Sequence, residues 1–177
     1  AKSLREKAAN FKGIAATPLP ASIQAELRPY QKDGFDFLCH LSTIRLGGIL
    51  ADDMGLGKTL QTLSWLAWMH QENPKTKPAL VICPASVLHN WKREANRFTP
   101  QLKVLVLESG AARHNLRRQI PQNDIIVTNY SLLRRDLAAL QKFEFRALIL
   151  DEAQFIKNPT AQVTQSVKKL AADQRLA

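Results

Sequence analysis

Two short stretches of this chain carry residue types that can act together on a phosphate anhydride. Gly55-Leu56-Gly57-Lys58-Thr59 brings glycines, a cation and a hydroxyl into one tight segment. Leu148-Ile149-Leu150-Asp151-Glu152-Ala153-Gln154 ends an apolar run in adjacent carboxylates. In the first, glycines remove the Cβ atoms that would keep a backbone away from an anion. Lys58 can then reach β- and γ-phosphates, and the Thr59 hydroxyl can ligate Mg²⁺. In the second, consecutive strand residues point opposite ways, so the two carboxylates can do different work. Asp151 can hold the ion through water. Glu152 can orient and deprotonate the water that attacks the γ-phosphate. Each stretch also has a plain reading: Gly-Lys-Thr as the start of a surface helix, the acidic pair as a helix cap. Their occurrence on two strands of one sheet favours phosphate chemistry.

These residues need a strand behind them and a helix ahead. The apolar run Gly47-Gly48-Ile49-Leu50-Ala51 stops at Asp52-Asp53, and Leu60, Leu63, Leu66 and Ala67 follow at helical spacing. The expected order is strand, loop, helix N-terminus, where unsatisfied N–H groups and the helix dipole favour an anion. The general phosphate-loop pattern opens with Gly, and here Asp52 stands at that place. Further apolar runs occur at Ala79–Cys83, Lys103–Leu107, Asp124–Thr128 and Ala147–Asp151. They lack polar alternation, as strands covered on both faces of a parallel sheet do. Helical stripes lie between them: Leu88, Trp91, Ala95 and Phe98; Leu133, Leu137 and Leu140; Val163, Val167 and Leu170. The rhythm predicts a doubly wound α/β domain with its ligand at the carboxyl ends of the strands. Residues 1–26 read as a linker or upstream tail, 27–177 as one domain.

Lys plus Arg is 25 and Asp plus Glu is 15, a formal net charge of +10 that favours a polyanionic partner. Lys92, Arg93 and Arg97 lie off the apolar stripe of their helix, Arg113, Arg117 and Arg118 form a second cluster, and Arg134 and Arg135 a third. Trp91, inside the stripe, reads as core. Cys39 and Cys83 sit in apolar surroundings as small core residues of a reducing compartment. The histidines His40, His70, His89 and His114 share no metal-ligand spacing with them, so no zinc site is read. No apolar run reaches membrane-spanning length, and no membrane partner is expected. Pro29 fits the first turn of a helix. Gln31 in that turn carries the donor and acceptor that adenine's N6 and N7 require, although taken alone it reads as an exposed helix residue.

The set Leu27-Arg28-Pro29-Tyr30-Gln31, Asp52-Asp53-Met54-Gly55-Leu56-Gly57-Lys58-Thr59, Cys83-Pro84, Asn90-Trp91, Thr128-Asn129-Tyr130, Asp151-Glu152-Ala153-Gln154 and Ile156-Lys157-Asn158 resembles the first RecA-like lobe of Swi/Snf-type ATPases. These are DNA-translocating members of helicase superfamily two. The resemblance implies a P-loop NTPase fold, three layers with a parallel sheet, and covers about residues 27–177. It accounts for the acidic residue at position 52. It implies that ATP and Mg²⁺ are held by Gln31, Asp53, Met54, Gly55, Leu56, Gly57, Lys58, Thr59 and Leu60, with Thr59 and Asp151 toward the metal. Lys58, Asp151 and Glu152 are the catalytic set it implies. It sets the segments 84–91 and 128–131 along the path of duplex DNA, and Ser131 within them and the basic residues Lys92, Arg93, Arg134 and Arg135 beside them are the expected contacts to its backbone.

Two departures stand out: Gln154 where many relatives carry His in this DEAH-box-like motif, and Asp53 where Glu is commoner. The resemblance also implies a chain cut before a last short strand and lacking the second RecA-like lobe with its arginines. An arginine finger is worth a factor of about 10³ to 10⁵ in related sites, so weak hydrolysis is expected of this piece alone. A nucleotide-regulated binding module without turnover and an RNA helicase of the same superfamily are the alternative functions. The expected location is cytoplasm or nucleoid in a prokaryote, and nucleus in a eukaryote.

Overall fold

A computed structural model of the chain describes residues 13–50, 57–74, 77–110 and 113–177. Strands β1 (Ala79–Cys83), β2 (Val104–Val106), β3 (Ile125–Asn129), β4 (Glu144–Leu150) and β5 (Ala171–Leu176) form one sheet in the order β2-β3-β1-β4-β5. Every pairing is parallel. The α-helices among the described residues are α1 (Pro29–Ile44), α2 (Lys58–Glu72), α3 (Leu88–Phe98), α4 (Arg113–Arg117), α5 (Tyr130–Leu140) and α6 (Gln162–Lys168).

The apolar runs become central strands because both of their faces are covered. β1 is buried throughout, and its alternate residues divide between two cores. Ala79, Val81 and Cys83 pack with Phe35 and Leu38 of α1, Leu63 and Leu66 of α2 and Trp91 of α3. Leu80 and Ile82 pack with Leu133 and Leu140 of α5 and Val167 of α6. The result is the expected three-layer α/β arrangement. Buried Cys39 and Cys83 serve these cores, and burial pushes both thiols up to about 12, which keeps them protonated and unreactive.

Two segments differ from the sequence reading. The resemblance implies a chain that stops short of a last strand, yet Ala171–Leu176 is itself a strand, paired with β4 from Glu144↔Ala171 to Ile149↔Leu176. Its alternating exposed and covered residues hide it from a search for apolar runs. The Gly47–Leu50 run, expected as a strand in its own right, makes a parallel bridge from Gly48 to Leu176, with Gly48 N–H donating to Arg175 O at 2.9 Å, Ala177 N–H to Gly48 O at 3.1 Å and Leu50 N–H to Ala177 O at 2.8 Å. Residues 13–26 hold no helix or strand, but they are fastened down. Thr17 N–H donates to Asp36 Oδ1 at 2.8 Å, Gln24 N–H to Phe98 O at 2.8 Å, and Leu19 and Ile23 pack on the first core.

Gly47 lies so close to β5 that a Cβ there would stand 2.7 Å from the Arg175 carbonyl oxygen. A backbone carbonyl within a sheet cannot swing aside as a side-chain tip can. Gly47→Ala is expected to cost about 1–3 kcal/mol, as overpacking does. At about 2–4 °C per kcal/mol for a domain of this size, calorimetry would register the drop, and an unchanged melting temperature would show that the edge yields.

Candidate functional site

In a parallel sheet all carboxyl ends share one rim. Register pairs Cys83 with Asn129 and Ile82 with Leu150, so the turns entering α3, α5 and the acidic pair leave from neighbouring strands. Asp151 N–H still donates to Ile82 O at 2.9 Å, carrying the β1–β4 pairing one residue past the strand. Lys58 begins α2, and Lys58, Thr59, Asp151 and Glu152 line one cleft of about 570 Å³. That volume lies in the range of small-molecule sites.

The acidic pair is held from several sides. Trp91 Nε1–H donates to Asp151 Oδ2 at 2.8 Å, and the Tyr130 hydroxyl donates to the Asp151 carbonyl oxygen at 2.8 Å. Burial first, then the charge of Asp151, pushes the Tyr130 hydroxyl upward in pKa, so it remains the donor. Phe155 stacks on the Tyr130 ring with centroids 5.2 Å apart. The carboxylates differ in environment, but strand alternation is not the reason. β4 ends at Leu150, and Glu152 takes a left-handed backbone at φ 54°, ψ 55°. For a residue with a side chain that conformation costs about 1–2 kcal/mol. Glu152 Oε2 accepts from the Gln154 amide, so the residue that departs from the family's His steadies the expected base.

Gln31 corrects its first reading: it is 8% exposed and lies against the entry to α2. Its Oε1 accepts from Arg28 N–H at 3.0 Å, and a Cβ on Gly57 would stand 2.4 Å from its Nε2. Gly57 has φ 78°, the left-handed region open to glycine, and so admits both the turn into α2 and the approach of Gln31. Leu60 is buried in the first turn of α2 and does not line the cleft. Asp52, Asp53, Met54, Gly55 and Leu56, the body of the expected phosphate loop, lie outside the described residues.

The donor set fits a magnesium–nucleotide: a hydroxyl and a carboxylate for a hard cation, an ammonium and a helix start for phosphate. Among the described residues no group of three or more His, Cys, Asp or Glu could cage a metal ion. A cation here would share its ligands with the phosphates, as magnesium commonly does. Nor is any helix among them long and apolar enough to cross a membrane.

The basic residues fall into two groups. Lys92 and Arg93 are exposed on α3, with Arg93 donating to Asn90 Oδ1. Ser131, Arg134 and Arg135 are exposed on α5, and both arginines border a groove with Lys169. Arg117 is different. It pairs with Asp136 at 2.6 Å, both side chains largely covered, at 14% and 4% exposure. It ties α4 to α5 rather than facing solvent. Two contributors escape the sequence reading, Trp91 as a partner of Asp151 and Tyr130 as an anchor of its carbonyl. An apolar stripe cannot disclose where an indole N–H ends up.

The SNF2-related domain family matches residues 30–177. The chain is 43% identical over 170 residues to the TATA-binding protein-associated factor MOT1 of Saccharomyces cerevisiae, a match covering 89% of this chain and 9% of that protein. It is 36% identical over 164 residues to the ISWI chromatin-remodeling complex ATPase ISW1 of the same yeast, covering 89% and 14%. Among solved structures, the Sulfolobus solfataricus SWI2/SNF2 ATPase core in complex with dsDNA superposes with a TM-score of 0.85 at 41% identity, covering 92% of this chain and 33% of that one.

The Arg117–Asp136 pair separates structural from nucleic-acid roles. Arg117→Ala removes the guanidinium 2.6 Å from the covered Asp136 carboxylate and should destabilise the domain by up to about 3–5 kcal/mol. Exposed Arg134→Ala or Arg135→Ala should stay within about 0.5 kcal/mol of the parent. Denaturant melts of the three variants test this, and equal stabilities would remove the structural role from Arg117.

Proposed function

From a chain that belongs to the SNF2-related domain family, we propose the first, ATP-binding lobe of a motor that hydrolyses ATP to move along duplex DNA. The observation that carries this reading is the convergence of Lys58 and Thr59, at the start of α2, with Asp151 and Glu152, past the tip of β4, on one cleft. The chain spans 9% to 14% of the yeast relatives named above and 33% of the archaeal core. Activity therefore belongs to the complete protein, and the second RecA-like lobe is the partner that completes the site.

In this reading the amide groups opening α2 and the Lys58 ammonium hold the β- and γ-phosphates. Gln31, beside the entry to that helix, reads adenine. Thr59 and Asp151 face magnesium, which when bound neutralises charge on the bridged phosphates. Glu152, kept in place by Gln154 and by its own left-handed backbone, accepts the proton of the attacking water. Duplex DNA lies along the rim from which α3 and α5 begin, its phosphates met by Lys92, Arg93, Ser131, Arg134 and Arg135. Such contacts carry no sequence preference. The archaeal core is bound to dsDNA, which favours duplex DNA over RNA for this chain as well.

In the full-length protein, Glu152→Gln should retain nucleotide binding and lower turnover by about 10² to 10⁴-fold, the range of a lost general base. Turnover within a few-fold of the parent would remove Glu152 from the chemistry. Stimulation of ATP hydrolysis should be larger with duplex DNA than with RNA. It should weaken when Arg134 and Arg135 are both changed to Ala, and unchanged stimulation would take that surface off the DNA path.

A further inference from the structure

We infer that Trp91 is a positioning residue for Asp151: its indole N–H holds one carboxylate oxygen so that the other is presented to the cation, an assignment that rests on the magnesium–nucleotide reading. Trp91 is 3% exposed, yet it borders the cleft. A buried indole N–H needs an acceptor. Any carbonyl near α3 would satisfy it. Its partner is instead a carboxylate 60 positions away in the chain, at 2.8 Å.

The choice of donor matters. An indole nitrogen donates and cannot accept, so the contact has one sense only. It is also neutral. Arg or Lys at this place would bring a positive charge against the same carboxylate and oppose a divalent cation beside it. The remaining contacts hold the backbone: the Tyr130 hydroxyl on the Asp151 carbonyl, and Asp151 N–H on Ile82 O. Main chain and Oδ2 are thus held from α5, β1 and α3. Among the described residues, Oδ1 has no hydrogen-bond donor. Partners that orient a metal-binding group in this way commonly govern metal affinity.

The test uses the full-length protein and a fluorescent, non-hydrolysable ATP analogue, its affinity measured across a magnesium titration and in excess chelator. Two replacements of Trp91 are compared. Trp91→Phe keeps a ring and loses the donor. Benzothienylalanine at position 91 keeps the bicyclic shape and loses only the N–H, so it decides the matter if Trp91→Phe does not fold. The expected result is a magnesium half-saturation raised about tenfold or more, with chelator-state affinity and melting temperature of the isostere unchanged. Parent-like magnesium dependence in the isostere overturns the inference. So does a parallel loss of both affinities and of melting temperature, which would make Trp91 packing alone. Asp151→Asn is the reference. If it retains the magnesium-dependent gain in affinity, the magnesium reading fails and takes this inference with it. If it loses that gain while the isostere keeps it, only the role of Trp91 falls.

Discussion

Parallel pairing of β1 with β4 is the constraint on which the rest of the molecule depends. Because both strands run the same way, the chain leaves each at the same rim. Asp151 N–H extends the pairing onto Ile82 O beyond the end of β4. Backbone hydrogen bonds therefore place the acidic pair beside the turn that leads from Cys83 into α3. No long-range charge attraction is required. Parallel strands need long crossovers, and the helices that supply them also cover both faces of the sheet. The same covering makes the central strand β1 apolar and buried along its whole length. The rim is then where polar side chains can gather, and Lys58, Thr59, Asp151 and Glu152 gather there.

Among the described residues of that rim the backbone is left-handed at Glu152, where it is strained, and at Gly57, where glycine adopts it freely. Glu152 adopts a left-handed conformation without being glycine, and Gly57 adopts one where any side chain would strike Gln31. Strain of about 1–3 kcal/mol per residue persists where surrounding structure over-determines it. Around the acidic pair that structure is visible: β1 on the amide of Asp151, α5 on its carbonyl, α3 on its carboxylate, and Gln154 on the neighbouring Glu152. Each contact comes from a different stretch of chain. The arrangement thus reports on the integrity of both faces of the domain.

The excess of positive charge is not a single surface. Arg117 faces Asp136, and Lys77 bridges Glu144 and Asp173 at the opposite end of β4 and β5. Arg146 is buried and donates to Asn73 O, with burial drawing its pKa downward. These cations hold elements together. Lys92 on α3 and Arg134 and Arg135 on α5 are exposed, on helices that begin at the rim of the cleft. A formal charge of +10 could not separate the two groups, because it carries no information about which cations find a carboxylate.

By itself the sequence determined the α/β class, the parallel character of the sheet, the Gly-Lys-Thr helix entry and the acidic strand tip. Each is written in local spacing: apolar runs without alternation, a stripe at helical period, carboxylates straight after a strand. The structure corrected what depends on neighbours. β5 is polar and alternating, and what makes it a strand is its pairing with β4 on one side and with Gly48 on the other. Gln31 reads as exposed until α1 is laid against the start of α2. Trp91 belongs to an apolar stripe, and packing alone decided that its N–H meets Asp151. Strand alternation would part the two carboxylates, whereas the turn at Glu152 is what parts them. Periodicity records which face of an element is covered. It does not record which polar atom waits on the other side, and that is settled only when distant elements close on one another.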